Sequence, residues 1–455
     1  MNNFKINDEI KNSEEVFNIL KNSANKNLFF NILKPVIEFE NRSLRFVLYL
    51  FGKQILNFPK IKLERIKYDF FYSLNLLKLK AVSKFRKIRV GFFVTEEAKW
   101  VNQLLYDELK KDNRFEPFIL LSNFSNPQGE DLREHYKKTR DFFRKTGAKI
   151  YTTYDLVKNT FKDLNKYKAD IIFYQQPWMI HEIQKPDKTY KKALLCYVPY
   201  CFYSMDSYVN YLAKFQGVMW KYFVETKLHK EEYEKLYNAR NCIVVGSCKL
   251  DNLRNIDKVK IKSNDKKNII YAPHHSFNDG IHDVATFKEN GKFILELAKS
   301  NPDTHWIFRP HPLFIDRVLK NSIMTENEIQ EYFKEWENIG KISTCGNYYE
   351  LFYSSDLLIT DCISFLSEYA PLLKPVFHLR KDYQKDRFNA LVSKLDEGYY
   401  QIYSNKELEE IFKRVVLNGD DYLKEKREEN KNILPVDTLA YKNIYGCLKK
   451  ELGLN

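Results

Sequence analysis

The sequence predicts an α/β protein with two doubly wound parallel-sheet domains that face a cleft. Three observations predict this fold class. Short apolar segments alternate with segments of helical spacing from residue 89 to residue 250, the same alternation begins again at residue 267, and a polar, charged stretch without a core pattern separates the two series. Apolar strands that alternate with amphipathic helices form parallel sheets covered on both faces.

Composition agrees with two soluble domains. A chain of 455 residues is too long for a single hydrophobic core of ordinary size and fits two domains. Its content of 44% hydrophobic and 29% charged residues is typical of a globular protein and argues against disorder. The seven cysteines include no CxxC pair, and their odd number argues against a disulfide framework, so we expect a reduced, cytoplasmic setting. The first residues, MNNFKINDEIKNSEE, are polar, so we expect no signal peptide. No uncharged apolar stretch approaches about 18 residues, so we expect no membrane-spanning helix.

Residues 1–86 are expected to form a helical, basic extension. Much of the formal net charge of +14 lies here: between Lys53 and Arg89, basic residues outnumber acidic ones by eleven to two, and they are mixed with the apolar run FFYSLNLLKL. This mixture suits the surface of an anionic membrane, and it equally suits a solvated helical face packed on the next domain. Because no nucleic-acid recognition module is visible, we expect no nucleic-acid partner.

Residues 87–250 are expected to form the first parallel-sheet domain. Its strands are RVGFFVT, FEPFILLS, KIYTTY, ADIIFYQQP, ALLCYVPY, KYFVET and NCIVVG, with a helix at 131–147 among the connections. Residues 251–266 are the expected linker.

Residues 267–455 are expected to form the second domain. Its strands are NIIYAP, HWIFRP, KIST, DLLIT and PVFHL, with helices over 286–300 and from Ser364. Thr325 with Glu328, and Ser404 with Glu407, have the spacing of capping boxes at the starts of two further helices. Ligands of such folds bind where the carboxyl ends of the parallel strands meet, so we expect the site in the cleft between the domains.

Polar residues follow three strands of the second domain. They are His274, His275 and Ser276 after the first strand, Arg309 and His311 after the next, and Asp361, Ser364 and Ser367 after a third. Arginine binds phosphate oxygens in a bidentate manner, and the helix after Asp361 offers backbone N–H groups. The three loops therefore predict a site for a phosphate-bearing ligand. No Gly-rich phosphate loop is present, which excludes the common nucleoside triphosphatases.

Each of these residues also has a structural interpretation. Pro310 and Pro312 restrict the backbone around His311 as a structural turn would require, and Asp361 could cap the helix that follows it. A zinc site from His274, His275 and His311 would need adjacent histidines to converge, and no carboxylate or cysteine has ligand spacing, so we expect no metal and no cofactor.

The order YAPHHS, FRPHP and SSDLLITDCISFLSEYAPLLKPVFHL resembles the C-terminal half of the CDP-glycerol glycerophosphotransferases, which build teichoic acids and related surface polymers. The resemblance implies the two-domain GT-B fold, with the donor nucleotide bound mainly by the C-terminal domain. It implies a functional role for His311 and donor contacts at Asp361 and Ser364. The chain departs from the family where it has Val198-Pro199-Tyr200 in place of the Trp-His-Gly segment that supplies the acceptor-side histidine, and where Cys362 and Ile363 replace Tyr and Ser.

The function expected from this resemblance is transfer of glycerol phosphate, or a similar polyol phosphate, from a CDP-activated donor to a hydroxyl of a surface polymer or lipid-linked glycan. His311 and His275 are the predicted catalytic residues, and His274, Ser276, Arg309, Asp361, Ser364 and Ser367 the predicted donor-binding residues. Glu96, Glu97 and Tyr200 are the acceptor-side candidates, chosen by position after N-domain strands. Cytoplasmic residence at the inner face of the membrane is expected. The competing functions are a GT-B glycosyltransferase that uses a CMP-, CDP- or UDP-sugar, a nucleotide-sugar epimerase, and an inactive scaffold protein.

Overall fold

The computed structural model describes residues 33–40, 43–50, 53–125, 132–236, 239–254, 266–278, 283–344, 348–381, 388–435 and 437–454. Side chains are described from Arg65 onward, apart from those of Asn210, Leu236 and Leu253. Within these ranges the chain forms two parallel sheets, each flanked by helices, and two smaller antiparallel sheets of three and two strands.

The N-terminal extension differs from the prediction. Instead of helix, residues 33–59 form an antiparallel sheet of β1 (Leu33–Glu40), β2 (Ser43–Leu50) and β3 (Lys53–Pro59), and only α1 (Lys60–Val82) is helical. The pairs Glu40–Ser43 and Leu50–Lys53 leave two residues for each connection, the length of a tight hairpin. Val47, Tyr49 and Phe46 belong to the residue types enriched in strands, so β propensity was the missed signal. Residues 1–32 lie outside the described part.

Helix α1 packs on the domain that follows. Arg65 donates to the carbonyl oxygens of Gly217 (3.2 Å) and Met219 (2.5 Å), and the Tyr72 hydroxyl donates to Val218 O at 2.5 Å. Tyr72 and Leu79 are buried in the core of that domain. The packed-helix interpretation therefore accounts for one face of α1, and the remaining face is exposed.

The N-terminal domain contains a seven-stranded sheet among the described residues, in the order β12-β11-β10-β9-β4-β5-β6. Its strands are β4 (Ile88–Val94), β5 (Phe115–Leu121), β6 (Ile150–Thr152), β9 (Ile171–Tyr174), β10 (Leu194–Tyr197), β11 (Lys221–Val224) and β12 (Cys242–Val244), while β7 (Tyr154–Asp155) and β8 (Thr160–Phe161) pair separately. Its helices are α2 (Gln103–Lys111), α3 (Leu132–Lys145), α4 (Pro186–Thr189), α5 (Ser207–Val218), α6 (Lys227–Leu236) and α7 (Cys248–Arg254). Helix α7 runs into the predicted linker, and residues 255–265 are outside the described part.

The C-terminal domain contains a six-stranded parallel sheet among the described residues, in the order β15-β14-β13-β16-β17-β18. The strands are β13 (Lys267–Ala272), β14 (Thr304–Phe308), β15 (Gly340–Ile342), β16 (Leu357–Thr360), β17 (Val376–Leu379) and β18 (Tyr400–Ile402). The helices are α8 (Phe287–Lys299), α9 (Phe314–Lys320), α10 (Glu326–Ile339), α11 (Tyr349–Ser354), α12 (Ile363–Tyr369), α13 (Ala390–Asp396), α14 (Asn405–Phe412), α15 (Lys424–Glu429) and α16 (Ala440–Leu452). The capping box of Thr325 and Glu328 is present as predicted.

The last helix crosses back to the first domain, which differs from the predicted boundary of a C-terminal domain that runs to residue 455. Ala440, Ile444 and Leu448, one face of α16, are buried in the core of the N-terminal domain. Asp251 accepts a hydrogen bond from Tyr441 N at 2.9 Å, and Lys221 pairs with Glu451. No helix in the described ranges has the length and apolarity needed to cross a bilayer.

Candidate functional site: the cleft between the two sheets

A cavity of about 390 Å³ lies between the domains, where the carboxyl ends of both sheets meet. The C-terminal domain contributes the loop after β13 and the start of α12. The N-terminal domain contributes the loops after β9 and β10 and the beginning of α7. The polar side chains that line this cavity include those of His274, His275, Ser276, Ser364, Tyr200 and Lys249.

The three predicted histidines form one cluster. The ring of His275 stacks on that of His311 with centroids 3.8 Å apart, and the ring of His274 lies 4.3 Å from His275 and 5.3 Å from His311. The loops after β13 and β14 thus meet as the sheet order predicts, because these strands are neighbours. His311 itself is not a lining residue of this cavity, but its partly exposed ring stacks directly on that of the lining residue His275.

The hydrogen bonds of the cluster define which ring nitrogens carry protons. Nδ1 of His311 accepts from Leu313 N at 3.1 Å, and Nδ1 of His274 accepts from Ser276 N at 3.3 Å. A neutral imidazole that accepts at Nδ1 carries its proton on Nε2. Burial, then the neighbouring His275 and Arg309, lower the pKa of His311 to about 3, so this ring is neutral at physiological pH. The two rings therefore present neutral Nε2–H donors.

This arrangement suits an anion better than a metal ion. The ligand atoms of the three histidines all lie within 4.8 Å of one another, which makes the cluster the one metal-ligand group found in the described part of the chain. Coordination would require Nε2 of His274 and His311 to lose its proton, since Nδ1 of each ring is already engaged by a backbone N–H. Phosphate oxygens accept from such donors directly.

Arg309 follows β14 beside this cluster. Its Nη1 donates to the Ser343 hydroxyl at 2.6 Å and to the Ser343 carbonyl at 3.2 Å, and its guanidinium lies 5.1 Å from the ring centre of Tyr348. These contacts hold the guanidinium at the edge of the sheet, next to the histidines.

Asp361 joins two segments of the site by hydrogen bonds to His274 and Thr286. Its buried carboxylate accepts from His274 N (2.6 Å), Thr286 N (2.6 Å) and the Thr286 hydroxyl (2.9 Å). Burial raises the pKa of Asp361, and these three donors oppose that rise. Its visible role is therefore to join the loop after β13 to the start of α8, and the predicted donor contact would be indirect.

The predicted serines differ in location. The Ser276 hydroxyl donates to His274 Nδ1 at 2.7 Å, since that nitrogen is an acceptor, and Ser364 lies at the cavity wall. Ser367 is fully buried, and its hydroxyl lies 3.4 Å from that of Ser204 in the N-terminal domain. Its observed contact is between the domains, and it does not line the cavity. Helix α12, which contains both Ser364 and Ser367, has only seven residues.

The acceptor-side candidates also separate. Tyr200 lines the cavity, and Lys99 lies over its ring at 5.4 Å while pairing with Glu96 at 2.6 Å. Glu97 instead pairs with Lys138 (2.7 Å) and accepts from Thr139 (2.7 Å). Burial would raise the pKa of Glu97, but these two partners hold it below its usual value. The structure thus brings Tyr200 to the cleft, with Glu96 close behind it, and commits Glu97 to helix α3.

Sequence reasoning missed a charged group that spans the cleft. Lys249 of α7 pairs with Glu368 of α12 at 2.7 Å, and the Tyr348 hydroxyl donates to the same carboxylate. Burial alone would lower the pKa of Lys249, yet the neighbouring Glu368 raises it well above its ordinary value. The only sequence signal was the position of Lys249 shortly after a strand, because its partner is 119 residues away.

A buried glutamate–histidine pair, Glu225 and His229, lies next to Tyr203 of the cavity lining. Glu225 directly follows β11 and has Oε2 3.5 Å from Nδ1 of His229, while Nε2 of His229 donates to the Tyr203 carbonyl at 3.0 Å. Burial raises the pKa of Glu225 to about 8 and lowers that of His229 to about 4. Both groups are therefore neutral at pH 7.

We expect Glu225→Gln to stabilise the fold at alkaline pH. The unfolded chain ionises this acid near pH 4.5 and the folded chain near pH 8, so the native state loses stability as the pH rises between these values. The substitution should raise the free energy of unfolding by roughly 2 to 4 kcal/mol at pH 8 and by little at pH 5. Thermal unfolding at both pH values, with Glu234→Gln at an exposed position of α6 as the control, measures this. A larger gain at pH 5 than at pH 8 would contradict it.

Comparisons with known proteins agree with this geometry. The family model described as CDP-Glycerol:Poly(glycerophosphate) glycerophosphotransferase matches residues 213–432. No curated protein matches the chain. Among solved structures, the wall teichoic acid polymerase TagF has a TM-score of 0.54 at 13% identity, covering 87% of this chain and 97% of its own. UDP-GlcNAc 2-epimerase from Neisseria meningitidis, bound to UDP-GlcNAc, has a TM-score of 0.53 at 16% identity, covering 80% and 99%.

The structural likenesses establish the GT-B-like fold and, at these identities, nothing more specific. The family match includes the loops after β13, β14 and β16, and thus the histidine cluster, Arg309 and Asp361. The resemblance seen in the sequence is therefore confirmed over residues 213–432, the segment that matches the CDP-glycerol:poly(glycerophosphate) glycerophosphotransferase model, and this match indicates a transferase.

Proposed function

We propose that the chain transfers glycerol phosphate, or a similar polyol phosphate, from a CDP-activated donor to a hydroxyl of a surface polymer such as a teichoic acid, or of a lipid-linked glycan. The observation that carries this proposal is the cluster of His274, His275 and His311 at a cavity between two GT-B domains. Neutral imidazole N–H groups beside an arginine match a diphosphate, and the family match supports the CDP-linked donor.

The proposed reaction is a single displacement at phosphorus. The acceptor oxygen forms a bond to the β-phosphorus, the bond from that phosphorus to the bridging oxygen breaks, and CMP leaves with that oxygen. Catalysis of such a transfer is mostly positioning and charge neutralisation. His311 and His274 donate hydrogen bonds to the phosphate oxygens, and Arg309 supplies the positive charge. The acceptor proton passes to a base, for which His275 at the cavity wall is the first candidate and Glu96 the second.

Arg309→Ala should weaken donor binding. The substitution removes a cation that Ser343 and Tyr348 hold beside the histidines, and a hydrogen bond to a charged group contributes about 1.5 to 3 kcal/mol, or roughly 10- to 100-fold in Kd. Calorimetric titration with CDP or CDP-glycerol gives the Kd, and Lys320→Ala on nearby α9 is the matched loss of one charge. Equal donor affinity in both variants would remove Arg309 from the site.

The second candidate function is sugar transfer, for which the same fold and the same phosphate-binding groups suffice. A GT-B glycosyltransferase would use a CMP-, CDP- or UDP-sugar, and the acceptor would attack a carbon of that donor rather than a phosphorus. Two further functions compete with transfer. An epimerase shares the fold, and an inactive scaffold would be consistent with Val198-Pro199-Tyr200, which lacks the acceptor-side histidine.

A donor panel separates these four functions. The purified protein is incubated with CDP-glycerol, CMP-, CDP- and UDP-sugars, and a cell-envelope acceptor fraction. Release of CMP from CDP-glycerol supports the proposal, whereas nucleotide release from a sugar donor alone supports the glycosyltransferase. Interconversion of sugars without nucleotide release indicates an epimerase, and no turnover of any donor indicates a scaffold.

We further propose that the protein works in the cytoplasm at the inner face of the membrane, in teichoic acid or capsule synthesis. The support is the exposed face of α1, on which Lys78 and Lys80 are mixed with Leu74 and Leu77, and which Lys84 follows just past the end of the helix. Amphipathic basic surfaces of this kind bind anionic bilayers.

A further inference from the structure

A second, strongly basic cavity lies at the end of the N-terminal sheet opposite to the cleft. It has a volume of about 320 Å³ and lies between α1 and the residues that precede β9 and β10. Its charged lining residues are Lys78, Arg86, Lys168, Asp170, Lys191 and Lys192. Strands β9 and β10 begin at this cavity and end at the cleft, so the two cavities lie at opposite ends of the same strands.

The cavity has an excess of positive charge. Its single acid, Asp170, already accepts two hydrogen bonds from Arg86, at 2.7 and 2.8 Å, and one from Arg89 N at 2.9 Å. In the described ranges, no carboxylate lies within ion-pairing distance of Lys78, Lys168 or Lys192, which are all exposed. Several lysines around a concavity create a positive potential that favours a multiply charged anion such as a phosphate.

Exposed apolar side chains directly precede three of the lining residues in the sequence: Leu74 before Asn75, Leu77 before Lys78, and Phe85 before Arg86. Leu74 and Leu77 are 48% and 66% exposed, and Phe85, just past the end of α1, is 89% exposed. Within α1, Leu74, Leu77 and Ala81 lie along one side together with Lys78, at the spacing of neighbours on a helical face. A soluble phosphate gains nothing from these groups, whereas a lipid offers an anion and an acyl region together.

We propose that this cavity binds the phosphate headgroup of an anionic membrane lipid, while Leu74, Leu77 and Phe85 enter the boundary between headgroups and acyl chains. The inference deepens the membrane attachment included in the proposed function by naming the site and its ligand class. Because the catalytic cavity opens at the other ends of the same strands, the lipid bound here is distinct from the donor and the acceptor.

The test compares full-length protein with two charge-matched double variants. Lys168→Glu/Lys192→Glu reverses two charges in the cavity, and Lys288→Glu/Lys424→Glu reverses two exposed charges on the C-terminal domain. Binding is measured by sedimentation with phosphatidylcholine vesicles and with vesicles that also contain phosphatidylglycerol. We expect binding only to the second kind, a partition coefficient at least about tenfold lower for the cavity variant, and a much smaller change for the control. Leu77→Ser should also weaken binding without changing net charge.

Three outcomes would overturn the inference: equal losses in the two double variants, equal binding to neutral vesicles, or saturable binding of inorganic phosphate at the cavity without vesicle binding. Calorimetry with CDP-glycerol on the cavity variant distinguishes this site from the catalytic one. Donor affinity should remain at the wild-type value, because the cavity is remote from the histidine cluster. A failed vesicle experiment with intact donor binding would therefore reject the lipid site and leave the transferase proposal standing.

Discussion

His311→Asn is expected to lower kcat by about 10² to 10⁴ while leaving the melting temperature near the wild-type value. The asparagine amide can replace the Nδ1 atom that accepts from Leu313 N, so the turn between Pro310 and Pro312 keeps its hydrogen bond. It cannot replace the Nε2–H donor on the far side of the ring. If that donor acts on the transferring phosphate, its loss affects the transition state more than donor binding, and kcat falls with little change in donor Kd.

His311→Gln is the complementary variant. Its longer side chain can place an amide N–H near the former Nε2 position but loses the hydrogen bond to Leu313 N, so we expect lower thermal stability together with partial retention of turnover. A purely structural His311 predicts the opposite pattern: near-normal turnover in His311→Asn, and reduced activity only in proportion to unfolded protein in His311→Gln. Turnover, donor Kd and thermal midpoint measured on both variants decide between the two roles.

Asp361→Ala should be the most destabilising single change in the site. The substitution leaves three donors, His274 N, Thr286 N and the Thr286 hydroxyl, without their buried acceptor. Stranding buried groups in this way costs about 3 to 5 kcal/mol, which corresponds to a fall of roughly 10 °C in the melting temperature of a domain of this size. Thermal unfolding measures the fall, and donor titration well below the new midpoint measures what remains of the site.

Ser367→Ala provides a milder comparison for Asp361, since the Ser367 hydroxyl has one long contact, 3.4 Å from Ser204. We expect a loss of about 1 kcal/mol and unchanged donor affinity. If Asp361→Ala unfolds at the wild-type temperature but no longer binds donor, Asp361 contacts the donor directly and the positioning role assigned to it is wrong.

The alternating pattern of the sequence predicted both parallel sheets and the edge at which the site lies. Neighbouring strands β13, β14 and β16 end in polar loops, and their adjacency follows from the parallel-sheet topology, so the meeting of His274, His275 and His311 could be expected. The pattern did not predict the direction of each side chain. Asp361 and Ser364 both follow β16, but the Asp361 carboxylate binds the backbone of the loop after β13, whereas Ser364 lines the cavity.

Long-range packing accounts for the remaining differences. Helix α16 has an ordinary apolar face, and nothing in its own residues states that this face is buried by the first domain, about 200 residues away along the chain. The same applies to Lys249 and Glu368, which meet only because the two domains do. Strands β1 to β3 were missed for a local reason, since basic and apolar residues mixed in this region resemble an amphipathic helix.

Identification of the nucleotide released from CDP-glycerol tests the proposed reaction most directly. Attack at the β-phosphorus releases CMP and places that phosphorus in a new phosphodiester of the acceptor, whereas attack at carbon would release CDP. Wild-type protein, CDP-glycerol and acceptor are followed by chromatography of the nucleotides and by ³¹P NMR of the polymer. We predict one CMP per new phosphodiester and loss of both products in His311→Asn. Release of CDP, or CMP release that is unaffected by His311→Asn, would contradict this reaction.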